Sequence, residues 1–359
     1  MSALGAKSDS WARCKYSIGL GSDSDRFIYK EEESLFYKEV KKFFSLRYTF
    51  LYDVVFLNFG STLFTPFPKY RYQHTKGWDF IRLSIYSKYR YFMRYFELTL
   101  LKLFKPKIFV QYQGSDARQK WFCQKNFEIC IPSFKSTYTK CDFLKDRTID
   151  LQIRDLDKIA SCIYSLNPDL MHVLPKRSKF LPYCHIDLSD WKMDGVKMIN
   201  KPLRIGHAPS NRVVKGTDEI ITVINQLKKN HPHCFEFVLI EDIEIHKAKE
   251  IYQSLDLLID QIYVGWYGGL AVELMALGKP VICYLREEDL MFVPKEMKND
   301  LPIIRASPET LQSVLEKVFK LTDIEIINLG IKSREFVEKW HNPETIVKSL
   351  LIDFGFSKN

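Results

Sequence analysis

Two cations three residues apart, Arg212 and Lys215, stand in the segment Ala208-Pro-Ser-Asn-Arg-Val-Val-Lys-Gly-Thr217, with Asn211 beside them. The segment leaves a strand pattern and enters a helical one. Its backbone N–H groups and the positive end of the helix dipole therefore favour an anion. Arginine chelates oxygens through its fork while lysine supplies a compact charge, so the pair suits a diphosphate better than a single carboxylate. A second place of this kind follows in Asp260-Gln-Ile-Tyr-Val-Gly-Trp-Tyr-Gly-Gly-Leu-Ala-Val-Glu-Leu-Met-Ala-Leu-Gly-Lys-Pro-Val281. Gly268 and Gly269 allow close approach to the backbone where a helix starts. Glu273 lies one turn further in among apolar neighbours, and a carboxylate there can accept both vicinal hydroxyls of a ribose.

Such side chains need strands and helices to hold them. Leu203–Ala208 reads as a strand, and Thr217–Lys229 carries apolar residues at helical spacing behind a Thr217 N-cap. Phe235–Ile240, Leu257–Asp260 and Pro280–Leu285 read as further strands, and His246–Leu255, Gly268–Leu277 and Pro308–Leu321 as helices. Strands alternating with helices over short connections mean right-handed crossovers and a parallel sheet. Residues 200–320 are therefore predicted to form a doubly wound, Rossmann-like domain. Before it, Tyr52–Phe59, Lys107–Tyr112 and Lys158–Tyr164 are strand candidates, with a helical stretch over Asp79–Phe104. They predict a second α/β domain over residues 1–185, with the connection in 179–200. Residues 321–359 read as two helices, Ile324–Trp340 and Pro343–Phe354, parted at His341-Asn-Pro343. The last is expected to pack back on the N-terminal domain. Two such domains put a cleft between the carboxyl ends of their sheets, where α/β folds bind ligands.

At the two clusters the sequence resembles the retaining glycosyltransferases of family 4. The likeness rests on the loop ending Lys215-Gly216 and on the later Gly-rich loop with Ala-Val-Glu273-Leu-Met-Ala-Leu-Gly-Lys-Pro-Val281. Gln113-Gly-Ser-Asp116 resembles the family's His-Gly-Ser-Asp type of loop. Asn167-Pro-Asp-Leu170 and Phe180-Leu-Pro-Tyr183 stand where the family places its last N-domain elements. The likeness is good from about residue 105 to 285 and looser elsewhere. It implies a GT-B fold, two Rossmann-like doubly wound domains facing a cleft, with the nucleotide-sugar held mainly by the C-terminal one. It further implies that Arg212 and Lys215 bind the donor diphosphate, with Asn211 also among the donor-binding residues, that backbone at Gly268 and Gly269 approaches the phosphates, and that Glu273 binds the ribose. Gln113 and Asp116 become the catalytic candidates. Two positions depart from the family: its first paired glutamate would fall at Gly265, and its loop histidine at Gln113. Asp260, Gln261, Trp266 or Tyr267 are left as candidate sugar contacts. Ala3-Leu-Gly-Ala-Lys-Ser-Asp-Ser10 resembles the end of the family's first helix, so the preceding strand and glycine loop are expected to be missing from the chain as written.

The composition agrees with a folded chain of two domains. The 359 residues exceed one ordinary core, and 46% hydrophobic content excludes a disordered chain. The net charge is +9, yet residues 1–110 hold 19 Lys/Arg against 10 Asp/Glu, while residues 111–359 hold 34 of each. All of the surplus is in the first third, with the aromatic-basic stretches Tyr37–Tyr48 and Tyr86–Lys107. Such a face suits an anionic membrane surface, contacted through residues 37–107, or a phosphorylated substrate. No DNA- or RNA-binding motif accompanies it, so nucleic acid is not an expected partner. Phe92–Phe104 is too short and too charged to span a bilayer, and no secretory signal opens the chain. The expected place is the cytoplasm, peripheral on the inner membrane face. Eight cysteines without a CxxC pair read as free thiols. The Asp-x-Asp sequences at Asp23–Asp25 and Asp155–Asp157 are weak metal signals, and neither metal nor cofactor is expected. The resemblance implies a glycosyltransferase that moves a sugar, with retention, from a nucleotide-sugar donor to a saccharide or lipid-linked acceptor. Its setting would be cell-surface polysaccharide or glycolipid synthesis. Gly265 and Gln113 favour the alternative, a non-catalytic nucleotide-sugar-binding protein or an inactive fragment.

Overall fold

The structure, a computed structural model, describes residues 11–12, 26–28, 30, 32–193 and 202–355. Ala3–Ser10, Cys14, Asp23–Asp25 and Gly195 lie outside the described residues. Strands β1 (Trp11–Ala12) and β2 (Arg26–Phe27) form a short parallel pair. Then come α1 (Leu35–Ser45), β3 (Val54–Asn58), α2 (Gly77–Phe104) and β4 (Lys107–Tyr112). They are followed by α3 (Lys120–Asn126), α4 (Pro132–Lys135), α5 (Lys140–Asp157), β5 (Cys162–Ser165) and β6 (Lys179–Phe180). Strands β3-β4-β5-β6 make one sheet, parallel throughout.

Both faces of that sheet are covered, which is why β4 and β5 read as continuous apolar runs rather than alternating ones. Ile108, Val110 and Ile163 face Leu101 of α2 and Ile149, Ile153 and Leu156 of α5. Phe109 and Tyr164, one residue out of phase, face the other way. The third strand starts later than the periodicity of 158–164 suggests. Leu156 ends α5 by accepting from Ile159 and Ala160, so those apolar residues finish a helix before β5 begins.

The second half contains β7 (Leu203–His207), α6 (Arg212–Lys215), α7 (Thr217–Asn230), β8 (Phe235–Leu239), α8 (Ile245–Ser254) and β9 (Leu257–Ile259). It continues through α9 (Gly269–Ala276), β10 (Val281–Cys283), α10 (Lys295–Asp300), β11 (Ile304–Arg305) and α11 (Leu311–Val318). Its parallel sheet has the order β11-β10-β9-β7-β8. The winding reverses between β7 and β9, and the loops that leave the carboxyl ends of those two strands flank the switch point. Thr217 is not the N-cap of α7. Gly216 takes that position with φ +78°, and an added Cβ there would lie 2.5 Å from Ile262 and 2.8 Å from Tyr263. Only glycine lets the first loop pass so close to the second.

Helices α12 (Asp323–Trp340) and α13 (Pro343–Asp353) end the described chain. Ile346, Leu350 and Phe354 pack on Phe109 and Tyr164 of the first sheet and on Leu181, just after β6. Asp353 accepts from the Tyr164 hydroxyl and Lys179 Nζ, each at 2.6 Å. In return, Ile129 and Ile131, in the loop before α4, join the core of the second half. Buried Arg286 donates to Ile129 O at 2.8 Å and to Asp289 at 2.7 Å, and Asp289 bonds His172 at 3.0 Å. Each half thus has a segment seated on the other.

Candidate functional site

Strand β7 ends at His207 and β9 runs into Asp260, so both loops open at the switch point. His207 is buried and joins them: one ring nitrogen bonds Ile259 O at 2.8 Å, the other Thr217 Oγ1 at 2.9 Å. A carbonyl can only accept, so Nδ1 carries the proton, and burial pushes the imidazole below its ordinary range.

On this base Lys215 and Gly268 meet. Lys215 Nζ donates to Asp260 Oδ1 at 2.6 Å, and Asp260 Oδ2 accepts Gly268 N–H at 2.7 Å. A Cβ on Gly268 would stand 2.9 Å from the Lys215 ammonium, so the cation lies against the first turn of α9. Lys215 is 9% exposed and Asp260 1%. An ammonium has three donors, and one goes to Asp260. Asn211 caps α6 by accepting Val214 N–H at 3.1 Å, which fixes the turn that delivers Lys215. Arg212 points outward instead. Its fork holds Glu241 at 2.9 and 2.7 Å and Asp218 at 2.8 Å, and the bonds to Asp218 and Glu241 raise its already high pKa.

Glu273 lies one turn inside α9, and its Oε1 is 3.2 Å from His185 Nε2. The His185 ring also covers Gly269, where an added Cβ would meet it at 3.1 Å. His185 belongs to the connection between the halves, and Tyr183 precedes it. The Tyr183 hydroxyl donates to Asn167 Oδ1 at 3.0 Å, and Asn167 Nδ2 donates to Gln113 O. This hydrogen-bond path ties the Gln113 loop of the first sheet to the Glu273 side of the second. Burial pushes the Tyr183 hydroxyl well above its ordinary pKa, so it is a neutral donor.

Several candidates fall elsewhere. Trp266 and Tyr267 are wholly buried: they stack at 4.4 Å, and the Tyr267 hydroxyl bonds His341 at 3.0 Å. They are core residues of the second half. Gln261 is 5% exposed and spends its amide on Trp266 O. Of the four candidate sugar contacts, only Asp260 stands beside Lys215. The Asp116 carboxylate is turned into its own loop, where it accepts Gln113 N–H at 2.9 Å and Gly114 N–H at 2.5 Å, and burial raises its pKa. It shapes the loop that presents Gln113. At Gly265 φ is +94°, and an added Cβ would lie 2.6 Å from Arg286 Nη1. A glutamate there is strained by the left-handed backbone and crowds the buried arginine. Asp155 and Asp157 pair with Lys158 and Arg177 at the end of α5 and belong to no metal cluster. Among the described residues no three His, Cys, Asp or Glu side chains converge to hold a metal, and the seven cysteines are free.

His185 and His207 were not among the sequence candidates. A lone histidine in a connection carries no periodic signal, and His207 sits in a strand that reads as ordinary core. The alternating pattern placed β7 and β9. That both carboxyl ends border the switch point, and hence that His207 joins them, follows only from the strand order.

No protein-family model matches the chain, and neither does any curated protein. Solved structures do match. Sucrose-phosphate synthase from Thermosynechococcus elongatus aligns with a TM-score of 0.52 at 14% identity, over 90% of this chain and 79% of its own. WaaG, a glycosyltransferase involved in lipopolysaccharide biosynthesis, aligns with 0.51 at 14% identity, over 75% and 83%. S. aureus TarM, as a mutant in complex with fondaparinux, α-GlcNAc-glycerol and UDP, gives 0.49 at 13% identity over 69% of this chain. The chain spans 50% of the length of that protein. With two parallel sheets flanked by helices, the chain has the α/β architecture of the GT-B fold.

Proposed function

We propose that this chain binds a nucleotide-sugar at the start of α9 and transfers the sugar, with retention, to a saccharide or lipid-linked acceptor. The observation that carries the reading is the meeting of Lys215, Asp260 and Gly268 at the helix end, with Glu273 one turn deeper. Transfer leaves a nucleoside diphosphate. Its growing negative charge is met by the two Lys215 N–H donors not given to Asp260 and by the α9 dipole, groups already in place before the bond breaks. Arg212 adds a second cation once its fork turns from Glu241 and Asp218. The transfer then needs no metal. Glu273 accepts the ribose hydroxyls, and Gln113 presents its loop to the sugar from the other sheet. The fold shared with WaaG, a glycosyltransferase, supports this reaction class. The N-terminal domain would take the acceptor, with the basic aromatic face of residues 37–107 on an anionic membrane surface at the cytoplasmic side.

Gly265 favours a second reading, a nucleotide-sugar-binding protein without catalysis, because the chain has no carboxylate where the family has its first glutamate. Calorimetric titration of UDP, GDP and their sugars tests the site. The wild type is expected to bind one of them, and Glu273→Ala to weaken it at least about tenfold, the loss of hydrogen bonds to a charged acceptor. Equal binding by the two would remove the ribose contact, and no binding by the folded wild type would remove the reading. Product formation from the bound nucleotide-sugar separates enzyme from binder.

A further inference from the structure

We propose that His185 is a built-in competitor for the donor site: its ring and the ribose of the nucleotide contend for the same carboxylate, Glu273. This rests on the donor-site reading above and adds to it a residue outside both sequence clusters. His185 Nε2 lies 3.2 Å from Glu273 Oε1, and the ring sits on Gly269, within 3.1–3.2 Å of where a Cβ would begin. A ribose that gives two hydroxyls to Glu273 needs both carboxylate oxygens and the space beside Gly269, and the imidazole holds one of each.

The backbone around His185 is held on both sides. Tyr183 O accepts from His341 Nδ1 at 2.7 Å, and Ile186 is 3% exposed in the core of the second half. Yielding to a ribose is therefore a rotation of one side chain, not a movement of the connection. The ring has somewhere to go, since 41% of the side chain is exposed, against 24% for Glu273. Rotation breaks one partly exposed hydrogen bond to a carboxylate, so it sets nucleotide affinity below what Glu273 alone would give and hastens release of the nucleoside diphosphate product.

The test uses the full chain with UDP and GDP as probes, by calorimetry. His185→Ala is expected to bind the preferred nucleotide about two- to tenfold more tightly than wild type, the share of one such hydrogen bond. His185→Gln, which can still donate to Glu273, is expected to stay near wild type. In a Glu273→Gln background His185→Ala is expected to bring no gain, because the contested carboxylate is gone. Unchanged or weaker binding by His185→Ala, with the wild type binding normally, overturns the competitor role and leaves the donor site standing. Weaker binding would make His185 a ligand of the nucleotide instead. No binding by wild type and variants alike would overturn the donor-site reading and this inference with it.

Discussion

Position 265 has a backbone φ of +94°, and the guanidinium of Arg286 lies 2.6 Å from where its side chain would start. That guanidinium is itself held by Val264 O at 3.1 Å and Asp289 at 2.7 Å, with Phe127 3.7 Å beneath it. Restoring a glutamate by Gly265→Glu is therefore expected to cost about 2–5 kcal/mol, from a left-handed backbone and a displaced buried cation. Denaturant unfolding measures it; a variant as stable as wild type would mean that Arg286 can move aside. The types and spacing of Lys215, Gly268 and Glu273 singled them out in the sequence, and the structure brings Lys215 and Gly268 together at Asp260. The burial of Trp266 and Tyr267 could not, since an aromatic pair beside glycines looks the same whether it faces a cleft or a core. Side-chain direction in such a loop is decided by Phe180 and Phe336, which pack on the two rings from distant parts of the chain.

The turn between α12 and α13 is held by one histidine. His341 is fully buried; Nδ1 donates to Tyr183 O at 2.7 Å and Nε2 accepts from the Tyr267 hydroxyl at 3.0 Å. Burial is the main reason its pKa is pushed down from 6.5 to about 4. With the folded value below the unfolded one, the unfolded chain binds the extra proton. Stability is then fully present above about pH 6.5 and falls as pH drops toward 4, by roughly 3 kcal/mol in all for this group. Unfolding midpoints of wild type and His341→Asn across that range measure the effect; equally steep pH profiles for the two would exclude His341 as its source. Most helices of the second half were legible because each has one buried stripe at helical spacing. Helix α11 was expected from Pro308 but starts at Leu311, because Ser307 and Thr310 bond each other's backbone N–H at 2.8 and 3.3 Å and form a turn first. Short parallel strands such as β5 blur at their ends, where a helix finishing on apolar residues has the same composition.

Across the molecule the charge is divided unevenly, and so is the exposed apolar surface. The outer side of α2 shows Trp78 83%, Phe92 65% and Tyr95 72% exposed, and α1 adds Phe36 at 72%. Among the described residues no helix is long and apolar enough to cross a membrane. If this face docks on anionic lipid, co-sedimentation with vesicles carrying acidic headgroups should weaken as salt rises from about 0.1 to about 1 M, where the Debye length shrinks from about 10 to about 3 Å. Trp78→Ala with Phe92→Ala should weaken it at either salt. Equal binding to neutral vesicles, or none to acidic ones, would exclude the docking. The charge imbalance was visible in the sequence, but which aromatics stay outside depended on how α1 and α2 meet. Glu39 joins the two helices by accepting from Arg90 at 2.8 Å and Tyr86 at 3.0 Å.

The exchange of segments between the halves bears on how the chain could be divided. Ile186, Leu188 and Trp191 pack on the second half although they precede residue 194, and α13 packs on the first half although it closes the second. A cut between residues 194 and 201 would yield two pieces, each carrying an arm that belongs in its counterpart. Such pieces have the makings of a split pair: mixed together, they could reassemble by mutual grip, with no added fusion partner to bring them together.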